Sequence, residues 1–135
     1  MAHVEILESA LVQAPAARAY ALIADYRDGH RRIVAPRAFK WLRVDSGGTG
    51  AGTAIAFEMR VLGMSNVARA VVSEPQPGRV LVETDVEGRV ITTFTVDPRG
   101  GSACHVTIAT TLKRRRLFMI CTPVQRGTTR AGIIA

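Results

Sequence analysis

Hydrophobic residues alternate with polar ones at the start of the chain and then change to a helical spacing. Residues 3–12 alternate, with Glu8 as the exception on the apolar side, which predicts a β-strand. Pro15 follows at a position suited to the first turn of a helix, where its missing N–H costs nothing. One apolar stripe then predicts a short helix: Ala19, Leu22, Ile23 and Tyr26. A second short helix is predicted over residues 31–34, ending before Pro36.

The chain from residue 39 to residue 112 has the pattern of short strands separated by turns that contain glycine and proline. The alternation predicts strands at residues 39–44, 54–61, 66–72, 80–85, 90–96 and 103–112. Strands this close together, joined by tight turns, form an antiparallel meander. Each strand has one apolar face, so another element must cover the sheet, and we expect it to be the last segment, residues 113–135. Pro123, Gly127 and Gly132 make that segment a poor helix former.

The composition indicates one globular domain over residues 1–135. An apolar fraction of 47% excludes an intrinsically disordered chain. The longest plainly apolar stretch, residues 117–121, is far too short to span a bilayer, and the N-terminus has no signal-peptide pattern. Cys104 and Cys121 do not have the spacing of a metal site or of a disulfide framework. We therefore expect a cytoplasmic protein with both thiols reduced.

The charge of the chain is strongly positive. The formal net charge is +7, from 18 basic and 11 acidic residues. Two groups concentrate it: Arg27, Arg31, Arg32 and Arg37, and then Lys113, Arg114, Arg115 and Arg116. Such groups are compatible with binding to nucleic acid or an acidic membrane, but no aromatic residue is interleaved with them as a stacking platform. We favour a solvated basic surface, and the sequence leaves a homodimer open.

No motif for covalent, metal or nucleotide chemistry is found in the sequence. The glycine-rich residues 47–52 lack the Gly-Lys-Ser/Thr ending of a phosphate loop and precede a strand, which indicates a hairpin turn. The three histidines are far apart and have no carboxylate at helical spacing, so we expect neither a metal ion nor a cofactor. Glu58 and Glu83 fall by alternation on the polar faces of their strands. Glu8, alone on an apolar face, forms no pair of acids.

A curved sheet covered on one side leaves a space beneath the cover, and the apolar residues predicted to face it define a candidate pocket. Seven of them lie on strands: Ile55, Phe57, Met59, Val82, Phe94, Val106 and Ile108. Three more are placed at its rim or floor: Tyr26, Trp41 and Phe118. An apolar concavity with few polar groups is the usual form of a small-molecule site. The alternative, that these side chains fill the space as a solid core, stays open.

Four short motifs follow one another along the chain. They are residues 12–26 (apolar, x, Ala, Pro, then an apolar stretch closed by Asp), the glycine turn at 50–53, the Glu-x-x-Pro turn within 72–80, and Asp-Pro then Gly-Gly within 97–101. In this order, over residues 3–112, they resemble the SRPBCC superfamily (START, pollen-allergen-like and polyketide cyclase/dehydrase domains). The resemblance implies an α+β helix-grip fold, with a seven-stranded antiparallel sheet curved around a C-terminal helix and two short helices after the first strand. Residues 113–135 depart from the superfamily's long amphipathic C-terminal helix and are atypical.

The resemblance implies three functions, and whether the protein is an enzyme stays open. We favour binding or transport of a small hydrophobic ligand (a lipid, quinone or polyketide) between the sheet and the C-terminal helix, because the predicted pocket is mostly apolar. The second is an aromatic polyketide cyclase/dehydratase, with Tyr26, His30 and Arg69 as candidate catalytic residues. Two or more ionisable groups facing inward would favour it. The third is binding to RNA, the ribosome or an acidic membrane through the basic groups.

Overall fold

The computed structural model of this protein describes residues 2–33, 39–61 and 63–114. The strands there are β1 (Ala2–Val12), β2 (Phe39–Ser46), β3 (Ala54–Val61), β4 (Met64–Gln76), β5 (Val80–Asp85), β6 (Val90–Arg99) and β7 (Ala103–Arg114). The helices are α1 (Ala16–Ala24) and α2 (Gly29–Ile33). The predicted antiparallel sheet of seven strands, with two helices after the first strand, is confirmed. The predicted C-terminal helix lies outside the described residues, except that Lys113 and Arg114 belong to β7.

The strands form one sheet in the order β1-β7-β6-β5-β4-β3-β2. From β2 to β7 each strand pairs with the next one along the chain, as a meander does. The first strand then pairs with the last, from Ala2 opposite Arg114 to Val12 opposite Cys104. Within the described residues, β1 and β2 are therefore the two edges of the sheet.

Strand β4 is longer than the sequence predicts. The alternation indicates a strand over residues 66–72, because Pro75 lacks the N–H that a sheet ladder needs. In the structure β4 continues to Gln76, and its pairing with β5 shifts between Ser73 and Gln76. Pro75 therefore lies where the ladder of hydrogen bonds between β4 and β5 is interrupted, and the strand continues beyond it.

Alternate residues of the strands face α1, and we call this side of the sheet the inner face. It supplies most of the buried core: Ile55, Ala70, Val72, Leu81, Phe94, Val96, Cys104, Val106 and Ile108. Helix α1 adds Ala19, Tyr20, Ile23 and Ala24, and Tyr26 follows it. Burying a side chain of the size of leucine stabilises the fold by roughly 1.5–3 kcal/mol. The opposite side, the outer face, bears exposed apolar side chains such as Leu7, Leu11 and Val67.

The glycine-rich turn of residues 47–52 packs against the C-terminal end of α1. The Tyr26 N–H donates to the Gly48 carbonyl at 2.9 Å, and the Gly50 N–H donates to the Ala24 carbonyl at 2.9 Å. An Arg27 guanidinium N–H donates to the Gly47 carbonyl at 2.6 Å. The turn therefore has a structural role, because it fixes the direction of the chain after α1. A phosphate-binding loop would not need these contacts.

Asp25 lies at the C-terminal end of α1, before the turn that leads to α2. Its carboxylate accepts hydrogen bonds from the N–H groups of Arg27, Asp28 and Gly29 at 3.2–3.3 Å. These contacts hold the turn between the two helices. The Asp25 carbonyl also accepts the His30 N–H at 2.8 Å. The glycine-rich turn and Asp25 together set where the side chains of Tyr26 and His30 lie.

Glu74 of β4 connects α1, the glycine-rich turn and the sheet. The Tyr20 hydroxyl donates to its Oε2 at 2.6 Å, and the Ala51 N–H donates to its Oε1 at 2.7 Å. The hydrogen bond from Tyr20, followed by the one from Ala51, lowers the pKa of the Glu74 carboxyl. Burial first, and then the neighbouring Glu74 carboxylate, raise the pKa of Tyr20. The pair is therefore a neutral hydroxyl on a charged carboxylate, a stronger hydrogen bond than one between neutral groups.

Replacing Gly50 with alanine should destabilise the protein more than the same change at Gly100. Both residues have positive φ angles, 64° and 74°, and alanine in this region is strained by roughly 1–2 kcal/mol. A Cβ at Gly50 would also collide with Glu74 Oε1, whereas nothing lies within 4 Å at Gly100. We expect Gly50→Ala to lower the free energy of unfolding by about 1 kcal/mol more, the worth of the hydrogen bond it displaces. Urea denaturation measures both; equal losses would contradict the close packing of the turn on Glu74.

Tyr20→Phe should lower the free energy of unfolding by about 1.5–3 kcal/mol near pH 7, because it removes a hydrogen bond to a charged group. Folding lowers the pKa of the Glu74 carboxyl. The stabilisation that its ionised form provides is therefore complete above the ordinary pKa of 4.5 and is lost as the pH falls through the lowered pKa of the folded protein. The difference in free energy of unfolding between the unaltered protein and Tyr20→Phe should therefore become smaller at acidic pH. Urea titrations from pH 7 to pH 3 measure it, with Glu74→Gln as the matched variant. A gap that stays constant over this range would disprove the linkage.

Candidate functional site

Tyr26 lies just beyond α1 and is completely buried, with a relative exposure of 0%. Its hydroxyl donates a hydrogen bond to Oε2 of Glu83 on β5. Burial is the main cause that raises the pKa of Tyr26, and the charge of Glu83 raises it further. The phenol therefore keeps its proton over the physiological range and acts as a hydrogen-bond donor.

The His30 side chain of α2 contacts four other groups. Its Nδ1 lies 2.9 Å from the Ile23 carbonyl oxygen, and its Nε2 lies 3.3 Å from Glu83 Oε2. The ring stacks on Tyr26, with centroids 4.1 Å apart, and meets the Phe94 ring edge-on at 5.5 Å. Both ring nitrogens of His30 therefore face acceptor oxygens.

Glu83 joins the two rings and lies on the inner face, with its side chain 13% exposed. The prediction that it falls on the polar face of its strand is wrong. In β5, Leu81 pairs with Phe94 and Glu83 with Thr92, so the core residue and the glutamate share a face. We call Tyr26, Glu83 and His30 the Tyr–Glu–His group. It brings a carboxylate, an imidazole and a hydroxyl donor together from two segments of the chain, the one that follows α1 and β5.

A small cavity of about 40 Å³ adjoins the Tyr–Glu–His group. Its wall includes Glu83 and Asp85 of β5 and Thr92 of β6, with Phe57 and Ala70 among its apolar members. A space of this size holds a water molecule or a few ligand atoms. The lining also includes Arg69, and the surface of the cavity is almost wholly apolar, as is usual for a small-molecule site.

The structure places five of the ten predicted pocket residues on the inner face of the sheet. Ile55, Phe94, Val106 and Ile108 are buried in the core, and Phe57 borders the cavity. Since Val82 alternates with Leu81 and Glu83, it lies on the outer face, opposite Thr93 and Ser73. The prediction that Val82 faces inward is therefore wrong. The side chains of Met59 and Phe118 lie outside the described residues.

Trp41 and Arg69 lie apart from the Tyr–Glu–His group. The Trp41 indole N–H donates to Glu58 Oε1 at 2.8 Å, and the ring is 37% exposed on the outer face. Arg69 is one of the residues that border the cavity, but it is exposed and alternates with buried Ala70, which places its side chain on the outer face. Of the three candidate catalytic residues, the structure brings Tyr26 and His30 together and leaves Arg69 on the other face. Their catalytic role stays a prediction.

The predicted basic groups are only partly described. Arg27 is exposed and bound to the Gly47 carbonyl, Arg31 is exposed, and Arg32 pairs with Asp28 one helical turn away. Arg37, Arg115 and Arg116, and the side chain of Arg114, lie outside the described residues, while Lys113 is described on β7. Binding of nucleic acid or an acidic membrane stays a prediction.

Among residues 2–33, 39–61 and 63–114, no helix is long and apolar enough to cross a membrane. The same residues contain no group of three or more His, Cys, Asp or Glu side chains placed to hold a metal ion. Cys104 is buried with its thiol free.

Comparison with solved structures places this architecture among known ones. The KanY protein, determined by solution NMR, has a TM-score of 0.82 and 21% identity, covering 98% of this chain and 90% of that one. The Zhui aromatase/cyclase from Streptomyces has a TM-score of 0.74 and 15% identity, covering 97% and 84%. A norcoclaurine synthase point mutant from Thalictrum flavum, in complex with a transition-state analogue, has a TM-score of 0.71 and 17% identity, covering 97% and 89%. At these identities the likeness shows the fold.

The sequence itself was compared with curated proteins and with family models. No curated protein matches it significantly. The model of the family described as polyketide cyclase / dehydrase and lipid transport matches residues 3–132, nearly the whole chain. The chain therefore belongs to the polyketide cyclase / dehydrase and lipid transport family of the SRPBCC superfamily.

Proposed function

We propose that this protein binds a small hydrophobic molecule against the inner face of its sheet, with the polar end of that molecule at the Tyr–Glu–His group. One observation carries the proposal: the group is buried, yet Glu83 borders a cavity whose other walls are largely apolar. The family's description, which names polyketide cyclases, dehydrases and lipid transport, supports a ligand of this kind.

The apolar and the polar side chains of the inner face would contribute differently to ligand binding. Apolar ligand surface removed from water contributes roughly 25 cal/mol per Å², which favours any hydrophobic molecule of suitable shape. Orientation would come from the few polar groups, because a ligand end that displaces water from the Glu83 carboxylate must itself supply a hydrogen bond. With a volume of about 40 Å³, the cavity suits the polar end of the ligand.

A second candidate function, an aromatic polyketide cyclase/dehydratase, is favoured by the three ionisable side chains that meet at one point. Dehydration needs a base that removes a proton beside a carbonyl and an acid that protonates the departing hydroxyl. Glu83 as the base and the His30 imidazolium as the acid would supply one of each. Tyr26, which keeps its proton, would hold the substrate carbonyl or the Glu83 carboxylate in place.

Native mass spectrometry of the purified protein tests the binding proposal. We expect an added mass of a few hundred daltons that is lost on denaturation. Ala68 borders the cavity, so Ala68→Leu should fill it and reduce the occupied fraction by about tenfold or more. Val67, its exposed neighbour on the outer face, provides the matched control Val67→Leu. A bound molecule that survives Ala68→Leu unchanged would contradict binding at this cavity, and a bare protein that also takes up no added hydrophobic probe would contradict the proposal itself.

Steady-state kinetics on a β-hydroxy-ketone thioester tests the second candidate. We expect His30→Gln and Glu83→Gln to lower kcat by about 100-fold or more, the usual contribution of an acid–base group, with KM within about threefold. Tyr20→Phe is the control, because it also removes a tyrosine-to-glutamate hydrogen bond but one outside the group. If the unaltered protein binds such a substrate and releases no water from it, the second candidate is wrong while the first stands.

A further inference from the structure

Strand β1 is an edge of the sheet with little protection against pairing with another chain. Among the described residues it pairs with β7 alone, so its other side presents backbone N–H and C=O groups that no described strand meets. Its pairing with β7 is continuous from Ala2 to Val12, without a bulge, and the strand contains no proline, lysine or arginine. A long and regular edge of this kind is a template for a further strand.

The outer face of β1 adds an apolar surface to this edge. Leu7 and Leu11 are 57% and 56% exposed, and Ser9 lies exposed between them. Because alternate residues of a strand share a face, the three side chains form one row along the edge. A strand added to β1 would therefore pair its backbone and cover its leucines at the same time.

The other edge of the sheet, β2, is protected differently. Its pairing with β3 shifts register near each end of the strand. Such irregularities bend an edge and interrupt its row of backbone groups. Arg43 and Asp45, an exposed ion pair, add charge to the same edge. Because β2 is a poor partner for β1, the edges favour a closed pair of two β1 strands over an open filament of β1 on β2.

Charge and apolar contacts select one register for a pair of β1 strands. In an antiparallel pair related by a twofold axis, the residue on the axis lies opposite its own copy. Glu5 or Glu8 on the axis would set two carboxylates directly opposite each other, which is destabilising. With Leu7 on the axis, the two Leu11 side chains would have no leucine opposite them. With Ser9 on the axis, each Leu7 lies opposite Leu11 of the other copy, so all four leucines are paired.

We propose that this protein forms a homodimer by antiparallel pairing of β1 with β1 of a second copy, about a twofold axis at Ser9. The inference is independent of the ligand. One pair of strands and four leucines make a small interface, so we expect a dissociation constant of about 10 μM. The net charge of +7 makes two copies repel each other, and salt screens that repulsion. The dimer should therefore become tighter with added salt, whereas binding to nucleic acid becomes weaker.

Sedimentation velocity from about 1 to 200 μM protein, at about 0.15 and 0.5 M salt, measures the association. We expect mostly monomer at the lowest concentration and mostly dimer at the highest. Leu7→Lys should weaken the dimer about tenfold or more, because it places a charge against an apolar residue at the edge. The matched control is Val67→Lys, which adds the same charge at a 61% exposed outer-face position of β4, a strand inside the sheet. A monomer at every concentration, or a dimer that both variants weaken equally, would overturn the proposal.

Ser9→Cys tests the register. Cα atoms of directly opposite residues lie about 4.5–5.5 Å apart, within the reach of a disulfide, so we expect a covalent dimer on a non-reducing gel after mild oxidation. Thr107→Cys is the control, because Thr107 lies beside Ser9 on β7 and would be three strand spacings, about 14 Å, from its copy. Both variants keep the native cysteines, so a cross-link through those would appear in both. Equal cross-linking of the two variants, or none with Ser9→Cys, would contradict the pairing, and circular dichroism confirms that each variant is folded.

Discussion

The Glu83 carboxylate lies on the largely apolar inner face of the sheet, among the residues of the core, and much of the surrounding structure follows from that fact. A buried charge is very costly unless it is paired and hydrogen-bonded. Its partners, Tyr26 and His30, both come from the short segment after α1. For them to reach β5, that segment must turn sharply and hold its turn. The glycine-rich turn and the hydrogen bonds of the Asp25 carboxylate provide this, so residues outside the cavity wall set the positions of Tyr26 and His30.

Two tyrosine-to-glutamate pairs occupy different positions in this arrangement. Tyr20 and Glu74 connect α1 to the sheet and to the glycine-rich turn, away from the cavity wall. Tyr26 and Glu83 meet beside the cavity, with His30 as a third member. The Tyr20–Glu74 pair holds α1 and the glycine-rich turn against the sheet, whereas the Tyr26–Glu83 pair lies where we propose that the ligand binds. A substitution in either pair reduces stability, which is why binding and kinetics have to be measured separately from folding.

The sequence predicts the strand pattern well because each strand has its own local alternation. The bounds of β3 and β5 agree with the prediction, and β4 differs because its pairing with β5 shifts near Pro75. The site was harder to predict. In β5, Val80 and Val82 lie on one face of the strand and Leu81 lies on the other. Alternation alone therefore predicts that the face with the two valines is the inner one, which is wrong. Only the pairing of Leu81 with Phe94 decides the face, and that pairing depends on tertiary structure. Trp41, an apolar ring with a polar N–H, likewise lies on the outer face, against Glu58.

The pairing of β1 with β7 has a consequence for how the chain folds during synthesis. Val12 meets Cys104, and Ala2 meets Arg114, so the first strand has no partner until about 90 more residues have been made. At the usual rates of translation this interval is roughly 5–20 s. Meanwhile the meander from β2 to β6 can form through neighbouring contacts, which are fast, whereas closure of the sheet must wait for the last strand. The apolar side chains of β1 therefore remain without their native neighbours on β7 throughout that interval.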